Sequence, residues 1–321
     1  MNRALVTGCA GFIGSHLTRR LLEAGWTVRG VDTLDPLAVA NYGREDKRAN
    51  LVAATGGFEA LRVPFEFREW DAAKTIEQAL TGCDVCFHLA ARPGVRPSWM
   101  EFEDYVRANV ITSKLVFEGC ANAGVRCVYA SSSSVYGSSP LPVPEEHPLR
   151  PISPYGASKA MVEHLANAYF EAQGLDAVGL RYFTVYGPRQ RPDMAFARFI
   201  DAVTNMRLIH VYGNGLQRRD FTYVDDAVTA TIAAHEAGRS GRVYNVCSGR
   251  SHTLSKVLTV LGDILDKELA YVCDEAIAGD VDATSGDYIR ARHDLGYQPT
   301  VSLEEGLKLQ VEAQTTDGRR G

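Results

Sequence analysis

The segment Thr7-Gly8-Cys9-Ala10-Gly11-Phe12-Ile13-Gly14 constrains the fold more than any other part of the chain. It follows a short apolar run at 4–7 and opens an amphipathic stretch at 16–24 that Gly25 stops. Glycines at 8, 11 and 14 permit a tight turn, let backbone N–H groups approach a pyrophosphate, and let the helix pack closely on the strand. Strand, glycine turn and helix in that order are the opening of a dinucleotide-binding βαβ unit. A second apolar run at 27–31 ends in Asp32, 18 residues past Gly14. A carboxylate there accepts hydrogen bonds from the adenosine ribose hydroxyls and repels a 2′-phosphate, which predicts NAD rather than NADP as the cofactor.

The same alternation continues. Strands are predicted at 4–7, 27–31, 63–69, 85–89, 127–130 and 177–182, with long helical patterns between them, such as 102–123 stopped by Gly124. This predicts an α/β chain with a doubly wound parallel sheet, a Rossmann fold, covered on both faces. Beyond Tyr182 the pattern turns irregular and richer in Pro, Arg and Gly, which predicts a smaller C-terminal substrate-binding region. The expected division is 1–180 for the NAD-binding domain and 181–321 mainly for substrate, with some later segments returning to the first.

Composition excludes other classes. Of 321 residues 45% are apolar and 23% charged, ordinary for a soluble globular chain and unlike a disordered or fibrous one. A net charge of −5 argues against a nucleic-acid partner. No apolar run approaches the roughly 18 residues of a membrane helix, so no membrane partner is expected. Seven scattered cysteines and the lack of a leader pattern before the run at 4–7 predict a reducing, cytoplasmic setting. Cys83 and Cys86 form a CxxC with no second pair at metal spacing, so buried strand residues and no metal are expected. The polar tail from Thr315 to Gly321 is expected to fray.

Ser153-Pro154-Tyr155-Gly156-Ala157-Ser158-Lys159 has the form of a helix start, with Ser153 as N-cap and Pro154 in the first turn. Tyr155 and Lys159, four apart, share one face near the positive end of that helix. Ammonium and dipole together would draw the phenol below its usual pKa of about 10. An exposed tyrosine and lysine on a helix surface would show the same spacing. The serine run 131–134, at the end of the strand predicted at 127–130, separates the two, because ligands of open α/β sheets bind at strand ends.

With these motifs the sequence resembles the extended short-chain dehydrogenase/reductase superfamily, and within it the NAD-dependent nucleotide-sugar epimerases, most of all those acting on UDP-glucuronate. The resemblance spans essentially the whole chain: His88-Leu89-Ala90-Ala91, the serine run, Tyr155 with Lys159, Arg181-Tyr182-Phe183-Thr184-Val185-Tyr186-Gly187-Pro188, Arg219-Asp220-Phe221-Thr222-Tyr223-Val224-Asp225-Asp226, Leu295-Gly296-Tyr297 and Ser302-Leu303-Glu304-Glu305-Gly306. It implies Ser132, Tyr155 and Lys159 as the catalytic set. It implies NAD contacts from Gly8, Gly11, Phe12, Ile13, Gly14, Asp32, Leu89, Ala90, Ala91, Tyr155 and Lys159, with Asp71 at the adenine. Asn109 corresponds to the family's structural asparagine, a packing role and a cofactor contact both being open. Arg191, Gln217 and Arg219 correspond to diphosphate and uridine ligands and Asp280 to a ribose or diphosphate contact, while Arg96 is either a substrate residue or a surface arginine. A homodimer joined by a four-helix interface around 102–123 and 155–173 is implied too, burial of those faces within one chain being the alternative.

The resemblance also narrows the sugar. Thr184 stands where UDP-galactose epimerases carry Asn, and Ser132-Ser133-Ser134 stand where UDP-glucuronate decarboxylases carry Thr-Ser-Glu and dTDP-glucose dehydratases carry Asp-Glu. This implies 4-epimerisation of UDP-glucuronic acid to UDP-galacturonic acid through a 4-keto intermediate. The alternatives are a UDP-glucose/UDP-galactose 4-epimerase, a decarboxylase of the UDP-xylose synthase type, and a non-catalytic NAD-sensing relative, against which the intact Ser132, Tyr155 and Lys159 speak. Oxidising carbon 4 of a uronic acid makes a β-keto acid prone to lose CO₂. Hydroxyls from Ser133, Ser134 and Thr184 could hold the carboxylate against that loss without adding negative charge. Turn bonding to backbone is the plain alternative for all three.

Overall fold

The apolar runs become neighbouring strands of one sheet. The computed structural model describes residues 2–35, 43–56, 64–69, 72–275 and 279–317. In it β1 (Arg3–Thr7), β2 (Thr27–Asp32), β3 (Phe65–Glu69), β4 (Val85–His88), β5 (Arg126–Ser132) and β6 (Ala177–Tyr182) pair in parallel, in the order β6-β5-β4-β1-β2-β3. The start of the third predicted strand, residue 63, lies outside the described residues. Every residue of β4 and β6 is buried, as expected of strands covered on both faces.

Helices α1 (Phe12–Glu23), α2 (Arg44–Thr55) and α3 (Ala72–Leu80) follow the first three strands. α1 begins four residues before the stretch predicted at 16–24, because the glycine turn feeds straight into it. The helix predicted at 102–123 is in three parts: α4 (Phe102–Tyr105), a π-helical segment Val106–Ile111, and α5 (Thr112–Ala123), closed by Gly124 with φ 64°. α6 (Pro154–Gln173) is capped as predicted, the Ser153 hydroxyl accepting from Gly156 N–H at 3.1 Å. Beneath α6 the Arg181 guanidinium donates to both Glu163 oxygens, at 2.9 and 2.6 Å, and to the Tyr136 hydroxyl at 2.7 Å. Tyr136 donates onward to Asn245 Oδ1 at 2.7 Å, all of it buried.

The later part of the chain forms two smaller sheets: β7 (Thr184–Tyr186) and β11 (Ser251–Thr253) flank β9 (Arg218–Tyr223), and β8 (Ile209–Tyr212) pairs β12 (Tyr271–Asp274). α7 (Ala195–Thr204), α8 (Val224–Ala237), α9 (Leu254–Leu265), α10 (Ile289–Leu295) and α11 (Leu303–Asp317) accompany them. One strand of this half, β10 (Val243–Val246), pairs in parallel with β6 and becomes the seventh strand of the large sheet. α11 runs through Thr315 and Thr316, where fraying is expected from the sequence; residues 318–321 lie outside the description. Among the described residues no helix is long and apolar enough to cross a membrane.

Cys83 and Cys86 are both buried, Cys86 on β4. Cys86 lies beside Cys120 of α5 and Cys127 of β5, the three sulfurs within 4.8 Å of one another, a cluster that spacing along the sequence does not reveal.

Candidate active site

A cleft of about 750 Å³ opens at the C-terminal ends of β1, β4, β5 and β6, where the strand order reverses between β1 and β4. It brings together Gly8, Gly11, Phe12, Ile13, Gly14, Asp32, Leu89, Ala90, Ala91, Ser132, Ser133, Ser134, Tyr155, Lys159, Thr184 and Arg191. Asp71 falls outside the described residues.

At the β1 end the glycines are there for space and direction. Gly8 has φ 74°, and a Cβ on it would stand 2.7 Å from Ala90 N. A Cβ on Gly14 would collide with the Gly8 carbonyl. Gly11 is the N-cap of α1, without a side-chain cap and with no acid in the first turn. The first-turn amides of α1 therefore face the cleft as donors for an anion.

Asp32 ends β2 with its carboxylate on the cleft wall. It accepts from Ala10 N–H at 3.2 Å and from Leu34 N–H at 2.9 Å. Lys47, from α2, reaches the same carboxylate at 3.2 Å, and both side chains are buried. Asn50, three residues on, donates to the Ala10 carbonyl at 3.0 Å and so fastens α2 to the glycine turn.

At the other end Tyr155 is half-buried, its backbone N–H donating to Ser98 Oγ at 3.0 Å and its ring edge-on to Tyr105, centroids 6.2 Å apart. Lys159 Nζ donates to the Ala130 carbonyl at 2.9 Å. Burial lowers the Lys159 pKa to about 8, the Glu163 carboxylate one turn away opposing this. For Tyr155 the structure reverses the expected direction: burial pushes the phenol up, against a hydrogen bond with Ser132 and the charge of Arg191 that pull it down. The lysine and helix end do not offset desolvation of the phenolate in the protein alone. His88 bridges Thr7 Oγ1 at 2.8 Å and Ser113 Oγ at 2.9 Å, and burial drops its pKa to about 3, so it is a neutral strut.

Ser133 and Ser134 sit on a 3₁₀ turn leaving β5, and Thr184 opens β7 across the cleft. Among the described residues no hydrogen bond of the protein uses any of these three hydroxyls, whereas Ser132 Oγ accepts from Ser134 N–H at 3.2 Å. Among the described residues the carboxylates lining the cleft are Asp32, Asp35 and Asp104, with no glutamate.

Arg191 lines the cleft, its guanidinium held by Asp193 at 2.9 and 3.0 Å. The other anticipated nucleotide ligands stand outside it. Arg96 stacks on the Tyr212 ring, 3.6 Å from the centroid, in a neighbouring cavity of about 680 Å³. Arg219 pairs with Asp280 at 2.5 Å, and Gln217 donates to the Tyr212 carbonyl. Asn109 accepts from Arg92 N–H at 2.7 Å and donates to Ser158 Oγ at 3.0 Å, tying the loop after β4 to α6 and lying off the cleft wall.

Lys47, Arg107, Ile111 and Thr112 also line the cleft and carry no sequence signature. Lys47 is separated from Asp32 by a connection of no fixed length. The others owe their place to the π segment, which keeps the apolar spacing of an ordinary helix.

The geometry is matched by known proteins. A Bacillus subtilis (strain 168) protein described as an uncharacterized UDP-glucose epimerase, YtcB, is 36% identical over 313 residues, 96% of each chain. A UDP-glucuronate 4-epimerase of Thermodesulfobacterium geofontis (strain OPF15) is 34% identical over 97% of this chain and 95% of its own. The crystal structure of a Bacillus cereus UDP-glucuronic acid 4-epimerase in complex with UDP-glucuronic acid and NAD superposes with a TM-score of 0.90, at 35% identity, over 98% of this chain and 99% of that one. The family profile for the NAD dependent epimerase/dehydratase family matches residues 4–247. With a nucleotide-binding turn, a serine–tyrosine–lysine set and this breadth of match, the chain belongs to the NAD dependent epimerase/dehydratase family.

Proposed function

We propose that the protein interconverts UDP-glucuronic acid and UDP-galacturonic acid by inverting carbon 4, with NAD held in the cleft. The observation that carries the sugar is the trio of unengaged hydroxyls. Ser133, Ser134 and Thr184 border Tyr155 in one cleft, and among the described residues none of the three hydroxyls has a hydrogen-bond partner. Polar groups left open at a strand end fit a ligand carboxylate better than they fit turn bonding. The similarity to UDP-glucuronate 4-epimerases supports the same substrate.

The residues fit the cofactor. The cramped approach of Gly8 to Ala90, the uncapped start of α1 and the Asp32 carboxylate suit pyrophosphate and adenosine ribose. When bound, NAD supplies a reversible hydride acceptor for carbon 4. Tyr155, once the positive charge of bound cofactor and Lys159 outweighs the burial that raises its pKa, takes the 4′-hydroxyl proton as phenolate and returns it after the 4-keto sugar has turned over about its diphosphate linkage. Ser132 aligns that hydroxyl. The Lys159 ammonium, anchored on Ala130, would support the phenolate charge from the same helix face and would hold the nicotinamide ribose. Ser133, Ser134 and Thr184 keep the carboxylate from the geometry that would expel CO₂. Arg191, Arg219, Gln217, Asp280 and Arg96 are assigned to the nucleotide half, the arginines trading their present partners for phosphate oxygens. Residues up to about 180 supply most of the cofactor side and the later residues most of the substrate side.

Exposed apolar side chains on the helices around the cleft, Phe102, Ile111 and Met161, support a homodimer. Seven free cysteines, six of them buried, support a cytoplasmic setting.

Incubating the protein with UDP-glucuronic acid and no added NAD, then reading the product by NMR and mass, tests the proposal. A galacturonate product of unchanged mass is expected. Loss of CO₂, or faster turnover of UDP-glucose, overturns the assigned substrate. Tyr155→Phe should retain less than a few per cent of turnover with the fold intact, and higher residual activity would remove Tyr155 from its role.

A further inference from the structure

We infer that Lys47 sets how strongly the cofactor cleft discriminates against a 2′-phosphate, by neutralising the carboxylate that would otherwise repel it. The inference rests on the proposed occupation of the cleft by a nicotinamide dinucleotide and goes beyond it, since Asp32 alone predicts firm exclusion of NADP.

Three observations carry it. First, Asp32 and Lys47 form a buried ion pair on the cleft wall, 3.2 Å apart, with side-chain exposures of 6% and 9%. Second, Ala10 N–H and Leu34 N–H donate to the same carboxylate, so it is held on the cleft wall independently of the lysine. The ammonium sets a positive charge directly against it there. Third, Lys47 cannot swing aside easily: Asn50 of the same helix is bonded to the glycine turn, and the helix start is fixed by Asp46 accepting from Gly43 N–H at 2.7 Å.

The other charges at this end are weaker influences. Asp35 and Arg107 line the cleft but are exposed, and Arg44 is paired with Glu69 on the surface. Water and salt screen exposed groups far more than a buried pair. A ribose 2′-hydroxyl needs only an acceptor and finds one in Asp32 whether or not the lysine is present. A 2′-phosphate responds to net charge, which the buried pair brings close to zero.

The test measures NAD⁺ and NADP⁺ affinities by calorimetry on the full chain, freed of nucleotide, for wild type, Lys47→Met and Lys47→Arg, with melting curves for each. In Lys47→Met the preference for NAD⁺ over NADP⁺ should rise by roughly tenfold or more, as expected for removing a unit charge a few ångströms away in a partly buried site. Lys47→Arg should keep the wild-type ratio within about threefold, because the charge remains. If Lys47→Met does not melt cooperatively, Lys47→Gln, uncharged and polar, carries the same expected shift. A ratio that is unchanged, or that moves toward NADP⁺, overturns the inference while the cofactor assignment stands, since both nucleotides still bind. If wild type binds neither nucleotide, the proposed function falls and this inference with it.

Discussion

The Lys159 ammonium rests on a single carbonyl, that of Ala130, and burial takes its pKa from 10.5 to about 8. In the unfolded chain the lysine binds its proton up to about pH 10.4. Between pH 8 and that value the unfolded state holds more protons than the folded state, so stability rises with pH across the window. Below pH 8 the penalty is fully present, of order 3 kcal/mol by the same linkage. Lys159→Met in nucleotide-free protein should therefore unfold at higher denaturant than wild type at pH 7, by roughly 1–3 kcal/mol, with the gap closing toward pH 10 while turnover is lost at every pH. Urea titrations at the two pH values check this, and an equal gap at both would contradict the buried-charge account. The proposed catalytic pair stands out because Tyr155 and Lys159 lie at a fixed helical spacing within recognisable surroundings, and both line the cleft. The pKa direction of Tyr155 is not legible, because desolvation depends on how α6 packs and not on local sequence. Lys47 escapes notice for a similar reason, since a lysine on an amphipathic helix ordinarily faces water.

α6 is held from below as well as capped from above. Glu163 lies one turn past Lys159 and is gripped by Arg181 of β6, so the pair joins helix to sheet beneath the Tyr155–Lys159 turn. Arg181→Met leaves Glu163 buried and unpaired and should cost about 3–5 kcal/mol by urea unfolding. Arg181→Met combined with Glu163→Met should recover much of that loss, because two apolar side chains leave no orphaned charge. A double variant as unstable as the single one would show that the network, not the charge, holds the helix. Strands and caps were readable at this scale: β6 falls where its apolar run predicts, and Ser153 caps α6. The break of the predicted helix at 102–123 into α4, a π segment and α5 was not, since one inserted residue leaves the apolar periodicity nearly unchanged. The π segment carries Asn109, whose side chain meets both Arg92 and Ser158.

At the scale of the whole molecule, Phe102, Ile111 and Met161 remain 40%, 49% and 41% exposed on helices around the cleft. For the proposed homodimer, replacing both Ile111 and Met161 with Glu should halve the sedimenting mass; a wild type that sediments as a monomer, or a double variant of unchanged mass, overturns a dimer through this face. A parallel doubly wound sheet was legible from alternation alone, because runs buried on both faces read as continuous apolar segments. Its membership was less so: β10 is four residues from a region whose pattern is irregular, and only pairing with β6 identifies it. That pairing has a consequence in time. A ribosome that has released residue 182 has delivered six strands of the sheet but left the all-buried β6 with an unpaired flank, and the strand that covers it begins only at residue 243. At about 5–20 residues per second the gap lasts roughly 3–12 s. For that interval the nascent chain carries an apolar, pairing-competent edge, so early chaperone engagement should depend on the stretch of message between the two strands.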